Sequence, residues 1–150
     1  MIIRNSTTHS LKTALQEAVL GFPCDGLTVE LKYCPRGSCK YASGTYYRIA
    51  KGHEDGKLIR LRINRSNRYP IEARFRTSQY ERKTNARGEV LLYQTMRTVK
   101  FDTPEDLILA IFLHEFSHYI DHMEGRNGRY KQTKADKFAV KILEDLGVIP

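Results

Sequence analysis

The sequence predicts an α+β fold, in which a small, mainly antiparallel sheet is followed by two helices. Three observations lead to this class. Residues 27–33 alternate between apolar and polar side chains, as a half-buried strand does. Residues 107–113 form an apolar run behind a helix-start signal at 103–106, and residues 130–146 repeat apolar side chains at helical spacing. Strands and helices thus occupy separate parts of a chain whose 150 residues fit a single domain, 1–150.

An N-terminal helix is predicted over residues 7–20, because apolar residues recur on one face until Gly21 and Pro23 stop the pattern. The sheet strands share an alternation of period two. They are predicted at residues 27–33, 43–50, 58–64 and 90–101. Residues 34–39 form the turn after the first of them.

The first C-terminal helix has a well-marked beginning. Thr103 can cap it, Pro104 fits its first position, and acidic residues follow in its first turn. Residues 107–113 are apolar on all sides, so we expect this helix to be buried around its circumference, and it is too short to span a bilayer. Gly125 marks its end.

This helix carries the motif His-Glu-x-x-His at residues 114–118. Positions four apart on a helix lie one turn apart on the same face. His114 and His118 can therefore bind one divalent ion, most simply Zn²⁺, and Glu115 can take a proton from a water molecule beside that ion. The motif predicts a catalytic zinc site within a hydrolase.

A catalytic zinc site usually has three protein ligands, and four residues are candidates for the third. His122 and Glu124 continue the same helix, but residues eight apart on a straight helix are separated by about 12 Å along its axis. Gln132 and Asp136 lie on the next helix, at residues 130–146, which a short linker allows to pack antiparallel. Asp136 is preferred because its oxygen is anionic, whereas Gln132 is neutral.

The motif and the later run Gln-Thr-Lys-Ala-Asp-x-Phe-Ala, which begins at Gln132, resemble the minimal gluzincin metallopeptidases of the ImmA/IrrE type. The resemblance covers about residues 90–147. It implies a zincin-like fold, a zinc cofactor, His114 and His118 as ligands, and Glu115 as the catalytic base. SprT-like proteases share the motif and are the second choice, but the later His-Gly segment that carries their third histidine is not found.

The chain departs from this family at one position. In the family a glutamate is the third ligand, and an acid four residues later orients the first histidine. These positions correspond to Gln132 and Asp136. The third ligand therefore stays open between Asp136, His122 and Gln132.

The predicted function is that of a zinc-dependent endopeptidase, with Glu115 as general base and a protein or peptide as substrate. Tyr119 and Tyr130 are candidate hydrogen-bond donors to the oxyanion. Peptidases of this kind hold substrate as an added strand at a sheet edge, and the strand 90–101 is the candidate. The alternatives are a nucleic-acid-associated module and an inactive zincin-like interaction protein.

The net charge of +8 arises in one segment, residues 57–87, which holds ten Lys or Arg and two acids, whereas the rest has fifteen of each. Weak periodicity predicts a long loop or insertion over residues 65–88. Arg residues with Tyr69, Phe75 and Tyr80 among them can bind phosphates and stack on bases. The segment predicts either a solvated basic surface or contact with nucleic acid or an acidic partner.

The cysteine count is odd, and this argues against a disulfide framework and for a reducing, cytoplasmic location. Cys24, Cys34 and Cys39 with His53 could form a structural zinc site, although plain turn or core cysteines are favoured by the spacing. The first residues lack the apolar core of a signal peptide, and no apolar run reaches transmembrane length. We therefore expect no membrane partner.

Overall fold

The computed structural model describes residues 1–49, 57–126 and 131–150. Its elements follow in the order β1 (Ile2–Asn5), α1 (Lys12–Ala18), β2 (Leu27–Tyr33), β3 (Ala42–Tyr47), β4 (Lys57–Ile63), β5 (Ile71–Thr84), β6 (Val90–Phe101), α2 (Pro104–Met123) and α3 (Gln132–Asp145). The predicted α+β class is confirmed. In the ranges described, no helix combines the length and apolar character needed to cross a membrane.

The main sheet has four strands in the order β1-β2-β4-β3. β1 and β4 both run parallel to β2, and β3 pairs antiparallel with β4 at the edge. The prediction of a mainly antiparallel sheet is therefore wrong for this sheet. Alternation of side chains reports which face is buried, but it carries no information on strand direction. β2 shows the burial expected of a central parallel strand, since its first five residues are all buried.

The N-terminal segment differs from its prediction. β1 was not predicted, and α1 begins five residues later than the expected helix over 7–20. The cause is local, because the side-chain oxygen of Asn5 accepts hydrogen bonds from the backbone N–H and the hydroxyl of Thr7. Such side-chain bonds compete with helical hydrogen bonds and favour a turn. Leu11 and Leu15 are buried as expected.

β5 and β6 form a second, two-stranded antiparallel sheet, which we call the ribbon. The prediction of a loop over 65–88 is thus wrong for residues 71–84. Pairing runs from Ile71 opposite Phe101 to Thr84 opposite Val90, with a β-bulge between Arg76 and Tyr80. The base of β5 is buried on one face, but every residue from 78 to 84 is exposed. A strand exposed on both faces has no apolar alternation to reveal it.

α2 follows its prediction closely. Thr103 caps it by accepting a hydrogen bond from the Asp106 N–H, and Pro104 occupies its first turn. The helix ends at Met123, and Gly125 follows with a φ of 71°. It packs against β3, β4 and α3, and its central aromatic residues, Phe112 and Phe116, are fully buried. α2 is therefore the core helix on which the motif is placed.

A buried carboxylate holds the end of α2 beside the start of α3. Asp121 accepts hydrogen bonds from Arg126 Nε and from Lys134 Nζ. Burial alone raises the pKa of Asp121, but the bonds from Lys134 and Arg126 outweigh it and lower the pKa. The two helices are thus fixed as neighbours, as the short linker predicted.

The cysteines contradict the expectation drawn from their number. Cys34 and Cys39 form a disulfide, with Cα atoms 6.1 Å apart, around a turn at Gly37. An odd total does not prevent two cysteines of one turn from pairing. The Cys₃His zinc site is excluded because two of its thiols are consumed, and His53 lies outside the described residues. The odd number of cysteines therefore no longer supports the prediction of a reducing compartment.

Candidate active site

His114 and His118 project from the same face of α2, as predicted. Their ring centroids are 5.1 Å apart and the ring planes meet at 75°. His118 opens into a cleft of about 940 Å³ between α2 and β3. The cleft is lined by a mixture of small, basic and titratable residues, namely Gly44, Thr45, Tyr46, Arg48, Glu115, His118, His122, Gly125, Arg126 and Gln132.

His114 is held between two residues of α3. Its Nδ1 lies 2.7 Å from Asp136 Oδ1, and its Nε2 lies 2.7 Å from Gln132 Oε1. Burial lowers the pKa of His114, but the hydrogen bond to Asp136 and the charge of Glu115 outweigh burial and raise it. An ionised carboxylate is acceptor only, so Nδ1 donates to Asp136 and Nε2 is turned toward Gln132.

Asp136 uses both oxygens within the protein. Oδ2 accepts from the Arg76 backbone N–H at 2.8 Å and from Arg76 Nη1 at 3.2 Å. Burial raises the pKa of Asp136, whereas the bonds from His114 and Arg76 outweigh burial and lower it. The Asp136 carboxylate contacts Nδ1 of His114, whereas Gln132 faces Nε2. This geometry does not support the prediction of Asp136 as third metal ligand. Asp136 is placed to orient His114.

Glu115 lies between α2 and the edge strand β3. The backbone N–H of Tyr46 donates a hydrogen bond to its carboxylate. Burial raises the pKa of Glu115, and the charge of His114 only partly offsets this. A carboxylate with a raised pKa inside a cleft is suited to accepting a proton.

Gly44 permits this close approach of strand and helix. A Cβ atom built at Gly44 would lie 2.5 Å from Ile111 Cγ2 and 2.9 Å from Glu115 Cγ. Sequence reasoning missed both Gly44 and Tyr46. A glycine inside an alternating strand was the available signal, since it marks a close approach of another group.

His122 lies at the outer end of the cleft. Its Nδ1 is 2.6 Å from Tyr46 Oη. Burial, followed by the positive charges of Arg48 and Lys57, lowers the pKa of His122, and burial raises the pKa of Tyr46 to about 12. α2 is unbroken to Met123, so His122 stays two turns from His114, which argues against a shared ion.

Two further predictions need correction. The hydroxyl of Tyr119 donates to the Asp25 carbonyl and the side chain is buried away from the cleft, so it is no oxyanion donor. Tyr130 lies outside the described residues. β6 pairs with β5 and does not line the cleft, so the strand edge beside the site is that of β3.

The donor set decides how well a metal ion fits. Within the ranges described, no three His, Cys, Asp or Glu side chains converge to hold an ion. Two imidazoles do lie together, and the amide oxygen of Gln132 faces His114 Nε2. The Asp136–His114 contact is the support that metal-binding histidines generally have. These residues fit a divalent ion with two imidazole ligands and a neutral oxygen, a weaker set than one with a carboxylate.

Neither a family model, nor a curated protein, nor a solved structure matches this chain.

Proposed function

We propose that this protein is a zinc-dependent endopeptidase with a zincin-like, gluzincin-type site, which cleaves an extended peptide in the cleft between β3 and α2. The observation that carries the proposal is the hydrogen bond from His114 Nδ1 to Asp136, with Glu115 one residue further along α2. A buried carboxylate that orients one histidine of a His-Glu-x-x-His helix is the support that a metal-binding histidine generally has, and Asp136 supplies it while also accepting hydrogen bonds from Arg76.

The residues that would hold the ion are His114, His118 and, through its amide oxygen, Gln132. When bound, zinc supplies Lewis acidity toward water and toward the substrate carbonyl. Asp136 fixes the tautomer of His114 so that Nε2 carries the lone pair once its proton leaves. Because the ion and a proton compete for Nε2, the raised pKa of His114 makes ion binding strengthen with rising pH.

Glu115 moves the proton. Its carboxylate accepts a proton from the attacking water and delivers it to the leaving nitrogen of the cleaved bond. Burial raises its pKa and therefore favours the protonated form in the intermediate stage. The Tyr46 N–H holds the carboxylate against β3 while this happens.

The substrate can be held by β3. Among the described strands β3 pairs with β4 on one side only. Apart from the Tyr46 N–H, which bonds Glu115, its other side can offer backbone groups to an added strand. Tyr46 and His122 share the cleft with Glu115, and their polar atoms can donate a hydrogen bond to the oxygen of the carbonyl under attack.

The test compares wild type with Glu115→Gln on a quenched-fluorescence peptide library and on an unfolded protein substrate, with zinc present. We expect cleavage by wild type and a loss of about 10²–10⁴-fold in the variant, while elemental analysis finds the same zinc content. Glu105→Gln, on the same helix but outside the cleft, is the matched control and should cleave normally. Equal cleavage by Glu115→Gln would refute the role of base.

One observation favours a second candidate, an inactive interaction protein that binds peptides in the same cleft. Gln132 stands where a carboxylate would bind zinc more tightly. Wild type would then contain little zinc and cleave nothing, and Gln132→Glu would gain both zinc and cleavage. If wild type holds one zinc per chain and cleaves, this candidate is excluded.

A further inference from the structure

The end of the ribbon beyond the bulge carries large apolar side chains into solvent. Tyr80, Val90 and Leu92 are exposed by 60 %, 59 % and 67 %. Register places them on one face, since Arg82 is opposite Leu92, Thr84 is opposite Val90, and Tyr80 is two residues from Arg82 on the same strand. We call Tyr80, Arg82, Val90 and Leu92 the apolar ribbon face.

The opposite face of the same strands is different. There Glu81 forms an ion pair with Lys83, and Lys83 Nζ lies 5.5 Å from the centroid of the Tyr93 ring. Leu91 and Tyr93 on that face are also less exposed, at 38 % and 46 %. On the apolar ribbon face Arg82 forms no ion pair with any residue of the described ranges. On the opposite face the charges of Glu81 and Lys83 thus offset each other. The apolar ribbon face instead presents apolar side chains and Arg82, which has no ion-pair partner among the described residues.

The ribbon is attached firmly beside the candidate site. Gln94 Nε2 donates to the Thr77 carbonyl and to Thr133 Oγ1 of α3, both at 2.8 Å. Lys137 Nζ donates to Ser78 Oγ at 2.7 Å, so α3 holds the bulge as well. Thr133 follows Gln132, which contacts His114. Because Tyr80 pairs directly with Gln94, the apolar ribbon face begins at a residue pair that is fixed next to the cleft.

We propose that the apolar ribbon face is a docking surface for an acidic segment of a protein partner that also carries apolar side chains. A contiguous exposed apolar patch with a basic residue in it fits a partner of that composition. The net charge of +8 attracts such a partner and opposes the pairing of two copies of this chain through the same face.

Nucleic acid fits this face less well. Binding to phosphates requires several cations together. The face holds one, and three other arginines of the basic segment are engaged elsewhere, because Arg60 contacts Glu30, Arg76 contacts Asp136, and Arg65 lies 4.0 Å from the centroid of the Tyr33 ring. Val90 and Leu92 are aliphatic and offer no ring on which a base could stack.

The test uses the full chain with Glu115→Gln, so that docking is measured without cleavage and independently of the proposed peptidase activity. A displayed library of random twelve-residue peptides is selected on this protein, and the affinity of enriched peptides is measured by fluorescence anisotropy. We expect enrichment of peptides that combine Asp or Glu with apolar residues. Tyr80→Ser/Leu92→Ser should weaken their binding at least about tenfold, and Leu91→Ser/Tyr93→Ser should leave it within about threefold.

Arg82→Glu provides a second variant that leaves the apolar residues in place, and it should weaken the same peptides at least about tenfold by charge repulsion. The proposal is overturned if no acidic peptides are enriched, or if both faces respond equally. It is also overturned if a duplex DNA probe binds more tightly than the peptides and loses binding in Tyr80→Ser/Leu92→Ser. Dimerisation of wild type that this variant abolishes would show that a second copy is the occupant.

Discussion

The two ends of the candidate site, His114 behind the cleft and His122 within it, hold the same side chain in opposite electrostatic environments. His114 and His122 lie eight residues apart on α2, yet the pKa of His114 is raised and the pKa of His122 is lowered. Burial acts in the same direction on both. The difference comes from the neighbouring groups, because His114 contacts the carboxylate of Asp136, whereas His122 lies near the positive charges of Arg48 and Lys57.

Two histidines of one helix therefore differ in pKa largely through residues outside that helix, namely Asp136 for His114 and Arg48 and Lys57 for His122. The inner end, with Asp136 and Glu115, is built to attract positive charge. The outer end keeps a neutral imidazole beside a hydroxyl and so provides hydrogen bonds to a polar ligand. The candidate site thus places a region suited to a cation beside a region suited to a polar ligand.

The largest effect is expected at the inner end of the site, where Asp136 contacts His114. Asp136→Asn removes the anionic partner, so the pKa of His114 should fall and its ring should be less well oriented. We expect zinc affinity to fall by about 10–100-fold. Competition with a chromogenic chelator measures this. Asp145→Asn, on the exposed part of the same helix, is the control, and equal affinities in all three proteins would contradict the assigned role of Asp136.

Gly44→Ala disrupts the close packing of β3 against α2. The added methyl group would overlap Ile111 and Glu115, so the edge of the sheet must move away from α2. We expect a loss of about 1–3 kcal/mol in the free energy of unfolding, as overpacked cores show. Urea unfolding measures the loss. Ser43→Ala, at an exposed position of the same strand, should leave stability unchanged, and the same loss there would argue against a specific contact.

The smallest effect is expected at the outer end of the site and concerns the pKa of His122. Arg48→Gln removes one of the positive charges that lower the pKa of His122, so this pKa should rise toward its ordinary value. Titration by NMR measures this shift, with Arg36→Gln, at an exposed position of the turn before β3, as control. A histidine with a lowered folded-state pKa makes the fold less stable as pH falls through the ordinary histidine range, because the unfolded chain binds the proton more readily. This acid sensitivity should be reduced in Arg48→Gln.

Local signals in the sequence were sufficient for part of the fold. The start of α2 at Thr103 and Pro104 and the whole of β2 agree with prediction, because capping and alternation act between near neighbours. The parallel direction of β1 and the strand character of residues 71–84 were not found. Both depend on pairing with other segments of the chain. The exposed end of the ribbon also lacks the apolar alternation from which a strand is predicted.

The site shows the same division. His114, Glu115 and His118 were found because a spacing of one helical turn is a local property. The placement of Asp136 behind His114, and the contribution of Gly44 and Tyr46, required the packing of α3 and β3 on α2. Asp136 and Gln132 occupy one face of α3, and composition alone favoured the anionic residue as ligand. The direction in which each side chain meets His114 reversed that preference.

By itself, the sequence determined that a buried helix would place two histidines and a glutamate on adjoining positions, because helical geometry follows from the backbone. The tertiary structure alone decided which nitrogen of His114 meets the carboxylate, which strand borders the cleft, and that the basic segment ends in an exposed ribbon. These are properties of contacts between residues far apart in the chain, and the free energy of each contact depends on the burial and charge of both partners once they are packed.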